Sequence, residues 1–579
     1  MRVNVNVAWM LIDCYTVFHG VVNSKDQPKK ENHMNVHKGH SCGRDSGCCG
    51  AKAPGVSRRQ FLAGAGATAM GGTLLHRLGG ASAASAPAPT VARNFGRSKP
   101  LRIQPVLAYQ IHRYQEATSW RHWGGLITEQ HAEEERNRIR AELDEMAAKA
   151  DFPLELLPLA SARNTAEAQN IANADHDGVL IYGAGGGTEL IIALANPEKY
   201  NLMFVRHRTG PAYLWYEIVH PRFLRRETDE CQGTGGMSYD DVVVDNHDEV
   251  LWRLRALHGL KNIMGKRIVA IGGAIGWDRG HDSAAVQRAR DLWDMDMVEV
   301  DYDEMRVRIN RAFDDEALVR RCVEESRAYL AQPGVTLLPR QAQLTTEELI
   351  AGKGSEATMD EMRDFVDKAF LLAAVFRELM DEHETDAITV ASCMGAIIPM
   401  SETTACYTLT LLNDEGSLAF CESDFVAIPS GILLHYICGK PVFFCNPTFP
   451  HLDVTTVAHC SAPRKMDGEN LEDVIIRTHF ESDYGAAPKV ALRPGQNMTM
   501  LVPDFASERW LGFEGTVLEN PALDICTTQT DLTLNADTKR IVEEMRGFHW
   551  MTCYGNYLRE VGYALNKAGV QWLDLTKEA

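Results

Sequence analysis

Two acids and two histidines stand where their types and spacing could do chemistry. Glu422 and Asp424 lie in the run Cys421-Glu422-Ser423-Asp424, directly after an apolar strand-like stretch, where a sheet edge would present them. Carboxylates so placed are candidates for holding a cation through oxygen and for moving protons. His459 is followed by Cys460, and His549 sits between Phe548 and Trp550. Each residue also has a structural alternative. Glu422 reads equally as a buried, paired acid, and Asp424 as the N-terminal cap of the helix after it. His549 could be a satisfied core histidine, and His459 a structural residue or one that lines a pocket. His112, Arg113 and Trp120 are either contacts for a small polar ligand or ordinary surface and packing residues.

The elements that must position these residues follow an alternating rhythm. Strand-like runs at Leu101 to Ile111, Leu154 to Ala160, Gly178 to Tyr182 and Asn201 to Val205 surround a charged, helix-periodic stretch, Glu129 to Ala150. The rhythm restarts near Lys266. Arg267 to Ile271 reads as a strand, Ser283 to Trp293 as a helix and Met297 to Val300 as a strand. A long helix, Met359 to His383, then leads into the strand Ala387 to Ala391. Such alternation implies parallel sheets with helices on their faces. After about Lys440 short strand-like runs dominate, separated by Pro, Gly and Asn: Val442 to Cys445, Lys489 to Leu492, Met498 to Val502, Gly515 to Glu519 and Asp531 to Leu534. These predict an antiparallel barrel or sandwich. A helix, Asn556 to Lys567, and a strand, Val570 to Leu573, close the chain. The expected fold is α/β, with two Rossmann-like doubly wound domains over 87–265 and 266–440, then a β-barrel domain over 441–579.

Two glycine loops follow strands, Gly183–Gly187 and Gly272–Gly276. The first lacks the full G-x-G-x-x-G spacing, and neither carries the Lys-Ser/Thr of a P-loop. They read as tight strand-to-helix turns at the carboxyl edge of a sheet, the edge that lines ligand crevices in this fold class, rather than as a nicotinamide site.

Residues 1–86 read as a leader. Ser57-Arg58-Arg59-Gln60-Phe61-Leu62 opens an apolar, glycine-rich run to Leu75, and Ala81-Ser82-Ala83-Ala84-Ser85-Ala86 offers small-residue cleavage options. That order predicts a twin-arginine (Tat) signal, hence an exported or periplasmic protein that meets the Tat translocase. His33, His37, His40, Cys42, Cys48 and Cys49 fall in its long leading segment. The remaining chain has no run of about 20 apolar residues, so no membrane association is expected after cleavage. Net charge is −19 over 579 residues, which argues against a nucleic-acid partner. Ten cysteines follow the leader without a single CxxC spacing, and those in strand-like runs read as small buried hydrophobes.

Over 385–465 and 545–575 the sequence resembles the L-fucose and L-arabinose isomerase superfamily, particularly its fucose-isomerase-like branch. The resemblance rests on Asn413-Asp414-Glu415-Gly416, Cys421-Glu422-Ser423-Asp424, Gly439-Lys440-Pro441, His459-Cys460, and Gly547-Phe548-His549 with Gly555-Asn556-Tyr557 beyond. It implies an aldose–ketose isomerase that works through an enediol and uses a divalent cation, usually Mn2+. The cation would be held by Glu422, by His549 and by the residue 24 positions after the glutamate. That residue is Asn446 where the family has aspartate. Glu422 and Asp424 would be the catalytic acids, with Asn413 and His459 as substrate contacts, on a small carbohydrate and within a homo-oligomer. Asn446 brings no charge and cannot accept a proton from carbon. A non-catalytic carbohydrate-binding descendant, or another metal-assisted reaction on a sugar or sugar acid, therefore stays open beside the isomerase.

Overall fold

The computed structural model describes residues 97–122, 124–213, 237–338 and 357–576. The leader and its histidine–cysteine segment lie outside them. Among the described residues no helix is long and apolar enough to cross a membrane.

The first sheet is built from β1 (Leu101–Ala108), β2 (Leu154–Leu156), β3 (Ala160–Ala162), β4 (Gly178–Gly183), β5 (Tyr200–Val205) and β6 (Val242–Val244). All its pairings are parallel, in the order β2-β1-β4-β5-β6, with β3 also on β1. The run at Leu154 to Ala160 is therefore two strands, not one. Gly178–Gly183 is buried throughout, so its side chains are apolar on both faces, as a covered parallel strand requires. The helix Glu129–Lys149 is capped by the Thr128 side chain.

The middle of the chain holds β7 (Arg267–Ile271), β8 (Asp296–Val300), β9 (Val335–Leu337), β10 (Ala387–Val390) and β11 (Leu418–Cys421). Four of them form a second parallel sheet in the order β11-β10-β7-β8. Three helices here and before it, His247–Ile263, Tyr302–Asp314 and Glu316–Leu330, have no counterpart in the strand-centred sequence reading. Their charge density hides a modest buried stripe, as in Met305, Ile309 and Ala312.

The last third carries β12 (Phe443–Pro447), β13 (Val454–His459), β14 (Val474–Arg477), β15 (Ala487–Val490), β16 (Asn497–Pro503), β17 (Arg509–Glu519), β18 (Thr528–Leu534), β19 (Trp550–Tyr554) and β20 (Gln571–Asp574). Six of these run antiparallel in the order β16-β19-β12-β13-β18-β17, and β16 pairs again with β17, so the barrel closes. Closure leaves β16 and β17 no free edge against each other. β14 and β15 make a small separate sheet with β9, which joins residues on both sides of position 440.

One helix sets the distance between the second sheet and the barrel. Ile428–Cys438 is buried along its whole length, begins with Pro429 in its first turn, and ends at Gly439 with φ +65°. At Gly431 a Cβ would come within 2.8 Å of both Phe420 Cε1 and Met551 Sδ. The missing side chain thus lets the helix lie directly on β11 and β19. These are the strands that Glu422 follows and that His549 precedes.

Candidate functional site

Glu422 leaves the carboxyl end of β11 in the left-handed region, φ +64°, and Ser423 follows at +50°. Two successive non-glycine residues there are strained by about 1–3 kcal/mol each and need outside support. The second glycine loop supplies it. Ser423 Oγ donates to the Gly273 carbonyl at 2.9 Å. Ile275 N donates to Ser423 O, and Phe425 N to Ile275 O. Gly272 and Gly273 have φ of +81° and +92°, and a Cβ at Gly272 would collide with the Tyr302 ring. The loop read from sequence as ligand-proximal therefore shapes the turn that presents Glu422.

Both oxygens of Glu422 face imidazoles. Oε1 lies 3.2 Å from His459 Nε2, and Oε2 lies 3.4 Å from His549 Nε2. The two rings are almost fully buried, while the Glu422 side chain keeps 29% of its surface exposed. His459 Nδ1 is 3.2 Å from the Ser461 hydroxyl, which can accept from it, while Nε2–H points at Glu422. Burial opposes a charged ring at His459, but the bond to Glu422 and the neighbouring negative charge lift its pKa to about 10. Burial alone would raise the Glu422 carboxyl; the bond and charge of His459, with His549, reverse that and hold it below the ordinary carboxylate range.

Asp424 is held differently from the sequence expectation. Its Oδ1 accepts from Trp277 N at 3.2 Å and Val426 N at 3.1 Å. Its Oδ2 accepts from His549 Nδ1 at 2.7 Å. The side chain is buried and both oxygens are engaged, so it stands ready neither to exchange protons with a substrate nor to cap the helix Ile428–Cys438, whose N-terminus has no side-chain cap. Asp424 is a positioning residue. By accepting from Nδ1–H it fixes the His549 tautomer and leaves Nε2 unprotonated on the Glu422 side.

Asn446 lies on β12. The pairing of β12 with β19 matches Phe443 to Thr552 and Cys445 to Trp550. Continued by one residue, that register sets Asn446 opposite His549. Phe444, two residues before it, packs on the His549 and His459 rings at 4.4 and 4.9 Å between centroids. Of the three positions expected to hold a cation, Glu422 and His549 face each other, and Asn446 is placed near His549 by strand register alone. Asp453 is engaged elsewhere, accepting from Thr538 Oγ1.

Asn413 is not brought to this cluster. Its amide donates to Ala419 O at 2.8 Å and accepts from Ala419 N at 3.0 Å, tying the end of the helix Ala405–Asp414 to β11. Asp414, next to it, accepts from the backbone of Arg464 and Lys465, and burial raises its pKa from 3.8 to about 7. A carboxyl with a higher pKa folded than unfolded binds its proton more tightly in the native state. Its contribution to stability is full below pH 3.8 and is lost as pH rises through about 7. Asp414→Asn is therefore expected to flatten the fall in melting temperature between those two values. An unchanged slope in a pH series of thermal melts would refute this.

Sequence reasoning missed three neighbours. Cys421 has its sulfur within 4.8 Å of the Glu422 and His459 ligand atoms. Trp277 stands edge-on to His549 at 5.9 Å, with 48% of its surface exposed. Phe548 lies between Trp277 and Phe505, at 5.8 and 6.1 Å. Cys421 in the C-E-x-D run and Phe548 beside His549 carried a signal by position, and Trp277 carried none. His112 packs on His122, beside the first glycine loop, and makes no contact with Glu422.

Compared with known proteins, the chain matches no family model and no curated protein. What the site can do rests on its own geometry. Two donors about 2.1 Å from one ion, at angles of about 90–110°, lie about 3.0–3.4 Å apart. The Glu422–His549 spacing fits that, and one donor is an anionic oxygen and the other an imidazole lone pair held in place by a buried acid. Asn446 can add a neutral carbonyl oxygen.

Proposed function

We propose that the chain acts on a small carbohydrate at Glu422, in the manner of an aldose–ketose isomerase that requires a divalent cation of the Mn2+ class. The observation that carries this reading is that His549, oriented by Asp424, sets its Nε2 3.4 Å from an oxygen of the solvent-reachable Glu422 carboxylate, a spacing at which the two could share one cation. The strand order β2-β1-β4-β5-β6 supports a doubly wound, Rossmann-like first domain, and Glu422 leaves the carboxyl end of a parallel strand, where such folds bind ligands.

Glu422, His549 and Asn446 would hold the cation, which supplies charge stabilisation to a substrate oxygen. The chain's own residues supply the rest. Glu422, kept ionised by His459, is the solvent-reachable carboxylate of the cluster, 29% exposed against 2% for Asp424, and the base for the proton on the carbon beside the carbonyl. One base on one face can take that proton and return it to the adjacent carbon, so a second carboxylate is not required. His459 holds Glu422 in place through its Nε2–H. The exposed Trp277 ring and Phe548 give an apolar wall beside the carboxylate, suited to the C–H face of a sugar. Export by the Tat route and assembly into a homo-oligomer remain part of the proposal.

Asn446 favours a second reading, a carbohydrate-binding descendant with little turnover. The two separate on one substitution. If Glu422 alone serves as base, Asn446→Asp strengthens Mn2+ binding by about tenfold through added ligand charge and changes solvent deuterium exchange into the substrate modestly. Exchange that is absent across an aldose panel in the natural chain, and appears only in Asn446→Asp, would establish the binder instead.

A further inference from the structure

A second group of potential ligands lies behind the Glu422 site. The sulfurs of Cys406 and Cys460 and a ring nitrogen of His479 all lie within 4.8 Å of one another, and all three residues are buried. They come from three places in the chain: the first turn of the helix Ala405–Asp414, the residue after β13, and the loop after β14. Cys406 and Cys460 are in direct S–H···S contact at 3.2 Å. Cys393 bonds to Cys406 from the other side and accepts from Ala405 N. None of these spacings resembles a zinc ribbon, so no sequence motif exposes the group.

We infer that Cys406, Cys460 and His479 form a buried site for a soft divalent cation of the zinc class, adjoining the Glu422 centre through Cys460, which touches His459 and Cys421. Metal–sulfur bonds of about 2.3 Å and metal–nitrogen bonds of about 2.0 Å in a tetrahedron set ligand atoms about 3.5–3.8 Å apart. The three donors already stand within that range of adjustment. Two thiolates and one imidazole are the donor set that thiophilic ions select over Mg2+ or Mn2+, which prefer oxygen. Cys393, bonded to Cys406, and Cys421 and Cys526, bonded to Cys460, are the donors at hand for a fourth position. Ser482 lies 3.4 Å from His479 Nδ1, which leaves Nε2 for the ion. Binding replaces two S–H bonds by two metal–sulfur bonds and releases two protons to solvent. The ion would pin the end of β13 to the helix Ala405–Asp414. Since Cys460 follows His459 directly, it would also fix the imidazole that steadies Glu422.

The competing fate of the same pair is a Cys406–Cys460 disulfide, and the test separates the two. The full chain is purified without added metal, its zinc content is measured, and the zinc is exchanged for Co2+. The site requires about one zinc per chain, retained in Glu422→Ala and lost in Cys460→Ser and His479→Ala. It also requires a thiolate-to-cobalt charge-transfer absorption in the natural chain, a readout that needs no variant to fold. Absence of that absorption overturns the inference. So does a Cys406–Cys460 disulfide in the purified chain, found as two missing thiols after denaturation without reductant. Retention of the zinc in Glu422→Ala distinguishes this site from the proposed Mn2+ site, so either can fail without the other.

Discussion

Glu422→Gln is expected to lower solvent-proton exchange at the carbon beside the substrate carbonyl by about a hundredfold to ten-thousandfold, the range for losing a positioned general base. Glutamine matches the shape of glutamate, and its carbonyl oxygen can still accept from His459 Nε2, so the turn at Glu422–Ser423 keeps its support from Gly273 and Ile275. The loss therefore reads as chemistry rather than unfolding, and an unchanged melting temperature is the control. The assay follows incorporation of deuterium into an aldose panel by proton NMR. A variant that exchanges at the natural rate would move the base elsewhere. The remaining acid of the cluster could not take its place, since Asp424 has both oxygens on backbone N–H groups and His549.

Asp424→Asn tests the orienting role. Asparagine can donate its amide to His549 Nδ1, which would drive the imidazole proton to Nε2 and block the lone pair that faces Glu422. Removing such an outer partner typically costs about 10- to 100-fold in metal affinity. That drop is expected in Mn2+ titrations followed by electron paramagnetic resonance. A merely structural Asp424 would lower thermal stability and leave the affinity of the folded fraction unchanged. Asp424→Glu, which keeps the charge, should restore part of the affinity.

Much of the architecture was legible because burial writes it into the sequence. Parallel strands covered on both faces, such as Gly178–Gly183 and Arg267–Ile271, appear as short apolar runs, and the Thr358 and Ser283 caps mark where their helices begin. Two barrel strands were less visible. Val454–His459 sets two adjacent threonines among apolar residues and breaks the strand alternation, and Trp550–Tyr554 is too short and aromatic to distinguish from a core helix segment. Charged helices such as Tyr302–Asp314 hid their thin buried stripes.

At the site, sequence identified the residue types but not their duties. Glu422, Asp424, His459 and His549 do assemble, because Gly431 lets one helix touch both strands that flank them. That Asp424 has no free oxygen, and that its Oδ2 faces His549 Nδ1, are decided by backbone groups such as Trp277 N, 147 positions away. Asn413 looked like a polar contact and proves to be a clamp on Ala419, since its side chain faces into the helix–strand junction. The Cys406–Cys460–His479 group stayed hidden because long-range folding, not local spacing, gathers it.

The most direct test is the manganese content of the purified chain after loading with Mn2+ and removal of the excess, measured beside Glu422→Ala. The account predicts about one manganese per natural chain and none in the variant, with both proteins equally folded. No bound manganese under any loading condition, or equal binding in Glu422→Ala, would contradict it.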